Sequence, residues 1–87
     1  MKEIKINIPQ YDDALECVWD ENFAIKTSAE YDTVTIRANS AGLMSLARHL
    51  ILLAQEEVPG GSHFHFGEFN SLEDNSVELI IAKDENL

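Results

Sequence analysis

Apolar and polar residues alternate at a two-residue period through most of this chain, interrupted by a single stretch of helical period. Ile4, Ile6 and Ile8 alternate with Lys5 and Asn7, which predicts a half-buried strand ending at Pro9. Leu15, Cys17 and Trp19 share one face of a second run, with Glu16 and Val18 on the other. A short helix capped by Asp12 or Asp13 fits that run as well, but the alternation and the Cys, Val and Trp content favour a strand. Phe23, Ile25 and Thr27 alternate with Ala24, Lys26 and Ser28, and Val34 and Ile36 with Thr35 and Arg37. Short polar turns join these four runs, so they read as an antiparallel meander.

From Asn39 the period becomes helical. Asn39 or Ser40 is a suitable N-cap, and Leu43, Leu46, Ala47, Leu50, Leu53 and Ala54 recur at helix spacing, opposite polar Ser45, Arg48, Gln55 and Glu56. Val58-Pro59-Gly60-Gly61 cannot easily continue the helix, which places its end near Glu57. Leu52 falls among the polar positions and reads as exposed, a candidate anchor for a partner. A strand through Ser62-His63-Phe64-His65-Phe66, a polar loop from Gly67 to Asn75 and a last strand from Val77 to Lys83 complete the chain. The expected fold is α+β: a mostly antiparallel sheet, made of the N-terminal meander and a C-terminal hairpin, with one long amphipathic helix packed on one face.

Composition narrows this picture. Eighty-seven residues form a single domain, residues 1–87. A chain of this size keeps roughly 5,000 Å² of surface when folded. Six basic residues against 16 acidic ones give a net charge of −10. Nucleic acid and anionic membrane surfaces are therefore poor partners, whereas a basic protein would be steered in. Cys17 is the single cysteine, so no internal disulfide forms and a reducing compartment is expected. The opening Met1-Lys2-Glu3-Ile4-Lys5 lacks the apolar core of a secretory signal, and the longest apolar run, Leu50 to Ala54, is far short of a membrane span. The expectation is a cytoplasmic protein.

The histidine strand carries the only concentrated chemistry. Alternation puts His63 and His65 on one face and Phe64 and Phe66 on the other, the latter under the helix. Two imidazoles on one strand face suit a divalent metal, given a third ligand from Glu68, Glu78 or His49. His49, however, sits near the apolar helix face and so on the wrong side of the sheet for that role. Surface or hydrogen-bonded histidines are the simpler reading. No nucleophilic set assembles: Cys17 reads as a small core hydrophobe, and Gly60-Gly61 lacks the lysine and following helix of a phosphate loop. No cofactor is expected. Two acidic clusters stand out, Asp12, Asp13, Glu16, Asp20 and Glu21, then Glu68, Glu73, Asp74 and Glu78. Sharing one edge, they would make an anionic surface suited to a basic groove.

The helix Asn39-Ser40-Ala41-Gly42-Leu43 with Ser45-Leu46-Ala47-Arg48-His49-Leu50 resembles that of the bacterial immunity protein 32 family. So do Val58-Pro59-Gly60-Gly61-Ser62-His63-Phe64-His65, Asn70-Ser71-Leu72-Glu73-Asp74 and Ser76-Val77-Glu78-Leu79-Ile80-Ile81. The resemblance covers roughly residues 39 to 83. The family pattern has an acidic residue soon after the second histidine, where this chain has Gly67 and then Glu68. The resemblance implies a cytoplasmic, non-enzymatic protein that binds and occludes a cognate toxin domain from a polymorphic toxin system; the acidity of the chain makes a basic nuclease a suitable target. His63, His65, Glu68, Glu73, Asp74 and Glu78 are the expected partner-binding residues. The alternatives are a small metal-binding module or metal-dependent enzyme built on His63 and His65, and an oligomeric module whose sheet edge pairs with another copy.

Overall fold

The computed structural model covers all 87 residues, Met1–Leu87. It contains β1 (Ile25–Glu30), β2 (Thr33–Ala38), α1 (Ser40–Leu53), β3 (His63–Phe66) and β4 (Leu79–Ala82). The strands form two antiparallel pairs, β1–β2 and β3–β4, and with the helix they make the expected α+β fold. The helix has 14 residues and ends at Leu53, short of Glu57, with Ala54 as C-cap. Two acceptors beyond that point are taken by a side chain instead: Lys83 Nζ donates to the Gln55 and Val58 carbonyls at 2.7 and 2.8 Å.

Asn39 sets the start of the helix and ties it to β1. Its Oδ1 accepts from the backbone N–H of Gly42 (2.8 Å), which is the capping bond, and from that of Ala24 (3.0 Å). Its Nδ2 donates to the Asn22 carbonyl. The first helical turn lies so close to β1 that a Cβ on Gly42 would stand 2.5 Å from the Ala24 carbonyl oxygen, a distance only glycine allows.

The two hairpins are joined through Thr27, which is fully buried. Glu73 N–H donates to the Ile25 carbonyl and Val77 N–H to the Thr27 carbonyl, so residues 73–77 lie along the edge of β1 not used by β2. Thr27 N–H donates to Ser76 Oγ, and its hydroxyl donates to the Val77 carbonyl. A buried hydroxyl and amide are thus satisfied by a loop, and the loop is thereby fixed.

The opening runs form no strands. Residues 1–24 carry no ladder, and two backbone donors of the segment go instead to helix side chains: Val18 N–H to His49 Nε2 (3.3 Å) and Asp20 N–H to Ser45 Oγ (2.8 Å). Arg48 adds bonds to the Asn7 carbonyl and the Asp20 carboxylate. Ile8, Tyr11, Leu15, Trp19 and Phe23 pack against the core, while Cys17 is exposed rather than buried.

That docking turns the helix. Its buried residues are Gly42, Ser45, Leu46, His49, Leu52 and Leu53, one residue out of step with the expected apolar face. One residue is about 100° of rotation. Leu52 is therefore 1% exposed, not a surface anchor, and Leu43 and Leu50 face solvent.

His49 closes the core. Its ring meets Trp19 at 4.3 Å between centroids and stands edge-on to Phe64 and Phe66 at 5.0 and 5.5 Å. Nδ1 lies 2.6 Å from the Ser45 carbonyl, which can only accept, so Nδ1 carries the proton. Val18 N–H can only donate, so Nε2 must be bare. Both bonds require the same neutral tautomer. Burial pushes the His49 pKa below its ordinary value, the Ser45 carbonyl partly opposing and the Arg48 charge assisting.

A histidine whose folded pKa is lowered binds fewer protons folded than unfolded. Its contribution to stability is complete above about pH 6.5 and is lost as pH falls below that towards the folded pKa. The urea midpoint is expected to fall between pH 7 and pH 5, and His49→Gln, which keeps an acceptor for Val18 but cannot titrate, should flatten that fall while lowering stability throughout. Parallel pH profiles for the two proteins would show that His49 is not the sensor.

Candidate functional site

The β3–β4 hairpin has a buried side and a bare side, set by alternation alone. Phe64 and Phe66 are buried in the core, and His63 and His65 are exposed. In the register, His65 faces Ile80 and His63 faces Ala82, so these four side chains share the outer surface. Glu78, two residues before Ile80, reaches across to His65, with Oε1 2.6 Å from Nε2. The pair is an ion pair when His65 is protonated. Both side chains are solvated, so it adds little to folding.

Phe69 adds an aromatic that the sequence pattern did not single out. It is 70% exposed and stands edge-on to the His65 ring at 5.4 Å between centroids. Its position is set by the turn after β3. Asn70 Oδ1 accepts from Gly67 N–H while Asn70 Nδ2 donates to the His65 carbonyl. A Cβ on Gly67 would fall 2.4 Å from the Phe69 ring, so glycine lets the ring fold back over the turn towards His65. Ile80, 59% exposed, completes an apolar centre beside the His65–Glu78 pair.

The other expected contact residues are placed as follows. Glu68 Oε2 accepts from Asn75 N–H and so braces its own loop. Glu73 holds β1 by its backbone, leaving the carboxylate exposed, and Asp74 is exposed beside it. His63 lies at the other end of the hairpin, its Nδ1 3.3 Å from the Gly61 carbonyl. There it lines an open recess of about 570 Å³ with Tyr11, Asp13 and Leu15, so a residue of the first acidic cluster does reach the histidine strand. That approach depends on how residues 1–24 dock, which spacing along the chain does not encode.

No group of three His, Cys, Asp or Glu side chains gathers with a geometry that would hold a metal ion. His65 is engaged by Glu78, and His49 lies across the sheet in the core. Desolvation by the surrounding protein pushes the pKa of the exposed Cys17 thiol up, the opposite of an activated nucleophile. No helix is long and apolar enough to cross a membrane.

Residues 33–84, running from the first residue of β2 to just past β4, match the family described as Immunity protein 32. The chain belongs to the Immunity protein 32 family. No curated protein and no solved structure matches it. The matched stretch contains all six of the residues expected to contact a partner, together with Phe69 and Ile80. As a member of an immunity protein family, the chain has a protective role and, in general terms, a toxin as its counterpart.

Because the outer face contributes so little to the core, it should be separable from folding. His65→Ala and Glu78→Ala are each expected to change stability by less than about 0.5 kcal/mol in urea unfolding. A loss of several times that amount would mean that the pair is structural.

Proposed function

We propose that this protein neutralises a cognate toxin domain of a polymorphic toxin system by binding it and blocking its working surface, inside the cytoplasm of the cell that makes both. The outer face of β3–β4 is the contact surface. Phe69 and Ile80 are its apolar centre, His65 and Glu78 its polar core, and His63, Glu68, Glu73 and Asp74 its rim.

The observation that carries this reading is the exposed Phe69–His65–Glu78 cluster within the immunity-family region. Exposed aromatics beside oriented polar groups supply most of the binding energy in protein interfaces, and a polar rim excludes water around them. A solvated aromatic, isoleucine and carboxylate are of little use to the fold, but a partner can bury all three. A standard interface covers about 800 Å² on each side, a small part of the 6451 Å² this chain exposes.

Net charge favours a basic target. A nuclease-type toxin fits best, since its phosphate-binding groove would accept Glu73, Asp74 and Glu78 in place of substrate. The protein acts by occlusion and carries out no chemistry of its own.

The test is co-expression with, and pull-down of, the toxin domain encoded beside this gene. A tight complex that abolishes toxicity is expected, with Phe69→Ala and Glu78→Gln each weakening it by about tenfold or more. Wild-type affinity in both variants would remove this face from the interface, and failure to bind any neighbouring toxin would remove the function.

A further inference from the structure

The bare edge of β2 offers a second surface, independent of the toxin reading. The two-residue turn Tyr31-Asp32 closes the β1–β2 hairpin with Glu30 opposite Thr33. Hydrogen-bonded pairs are then Glu30–Thr33, Ser28–Thr35 and Lys26–Arg37, and the N–H and C=O groups of Val34 and Ile36 point away from β1. The same logic sends the groups of Ile25 and Thr27 to the far edge of β1, where residues 73–77 do take them up. Nothing in the chain takes up those of Val34 and Ile36.

Exposed edges are usually blunted by proline, a bulge or lysine. This one has none of these. Its sequence is Thr-Val-Thr-Ile-Arg-Ala, its register runs unbroken, and all but Ala38 are exposed. Val34 and Ile36 point to the face shared with buried Ile25 and Thr27, yet remain 63% and 39% exposed.

We propose that β2 pairs antiparallel with β2 of a second copy about a two-fold axis at Thr35. Val34 of each chain then faces Ile36 of the other, and the two narrow pairs exchange about four backbone hydrogen bonds. The two apolar side chains cover one another. Thr33 faces Arg37 of the second copy.

Charge selects this occupant. Glu30 on β1 stands opposite Thr33, on the same sheet face as Arg37 at the other end of β2. Antiparallel self-pairing sets Arg37 of the second copy opposite Thr33, in one row with Glu30. Each copy's guanidinium then meets the other's carboxylate across a threonine, which an evenly basic or evenly acidic partner strand cannot match. Tyr31 lies one diagonal step from Arg37 of the second copy. It is 97% exposed, its φ of +55° being what the two-residue hairpin turn requires at that position. Across the axis, its ring is positioned to receive the guanidinium.

A six-residue edge is about 20 Å long and buries less than a standard interface, so the pairing is a weak, concentration-dependent one. Sedimentation equilibrium of the whole chain from about 10 µM to 1 mM should show the mass rising from monomer towards dimer. Over the same range the Val34 and Ile36 amides should gain hydrogen-exchange protection, with Thr33, Thr35 and Arg37 unchanged. Arg37→Glu should raise the dissociation constant about tenfold or more, and adding Glu30→Lys to the same chain should restore it. A monomer throughout, a dimer indifferent to Arg37→Glu, or a double variant without rescue would each overturn the pairing.

Discussion

The neutral ring of His49, bonded at both nitrogens inside the core, is the constraint on which the arrangement of this protein depends. One nitrogen donates to the Ser45 carbonyl on its own helix and the other accepts from Val18 in the opening segment. Its faces and edge meet Trp19, Phe64 and Phe66. One side chain therefore fixes where three parts of the chain meet: the irregular first 24 residues, the helix and the histidine strand. Ser45 and Arg48, its neighbours on the helix, repeat the pattern by holding Asp20. A buried polar group in a low-dielectric site is costly when unpaired, so these bonds define a unique packing rather than a loosely greasy one.

The surface follows from that core. With Phe64 and Phe66 committed to His49, strand alternation leaves His63 and His65 outside, and the β4 register brings Ile80 and Glu78 to meet them. Gly67 and Asn70 fold Phe69 back over the same place. The hairpin is anchored by one face and available by the other, which suits a protein whose family is defined by immunity. The chain exposes 6451 Å², well above the roughly 5,000 Å² typical of its mass, with exposed large apolar side chains on β2, β4, the helix and the Phe69 turn.

What was legible in the sequence was whatever depended on local period. The β1–β2 hairpin, the Asn39 cap, the histidine–phenylalanine alternation and the family-like motifs from residue 39 onward all follow from residues near one another. The opening segment was not legible, because Ile4, Ile6 and Ile8 alternate as a strand would while their backbone has no strand to pair with. The donors of Val18 and Asp20 find side chains 31 and 25 residues away, and no periodicity records that. The helix face was misread for the same reason. Leucine spacing pointed to Leu43 and Leu50, but Ser45 and His49 are buried because they serve the opening segment, and Leu52 goes inside with them. Phe69 was hidden in a mostly polar loop, and only the Gly67 turn brings it to His65.

The most direct measurement is of the His49 ring itself, by long-range proton–nitrogen correlation NMR on uniformly labelled protein during an acid titration. The account predicts a protonated Nδ1 and a bare Nε2, with no second proton taken up at the ordinary histidine pKa near 6.5. A His49 ring carrying its proton on Nε2, or charging at the ordinary value while the protein stays folded, would contradict it.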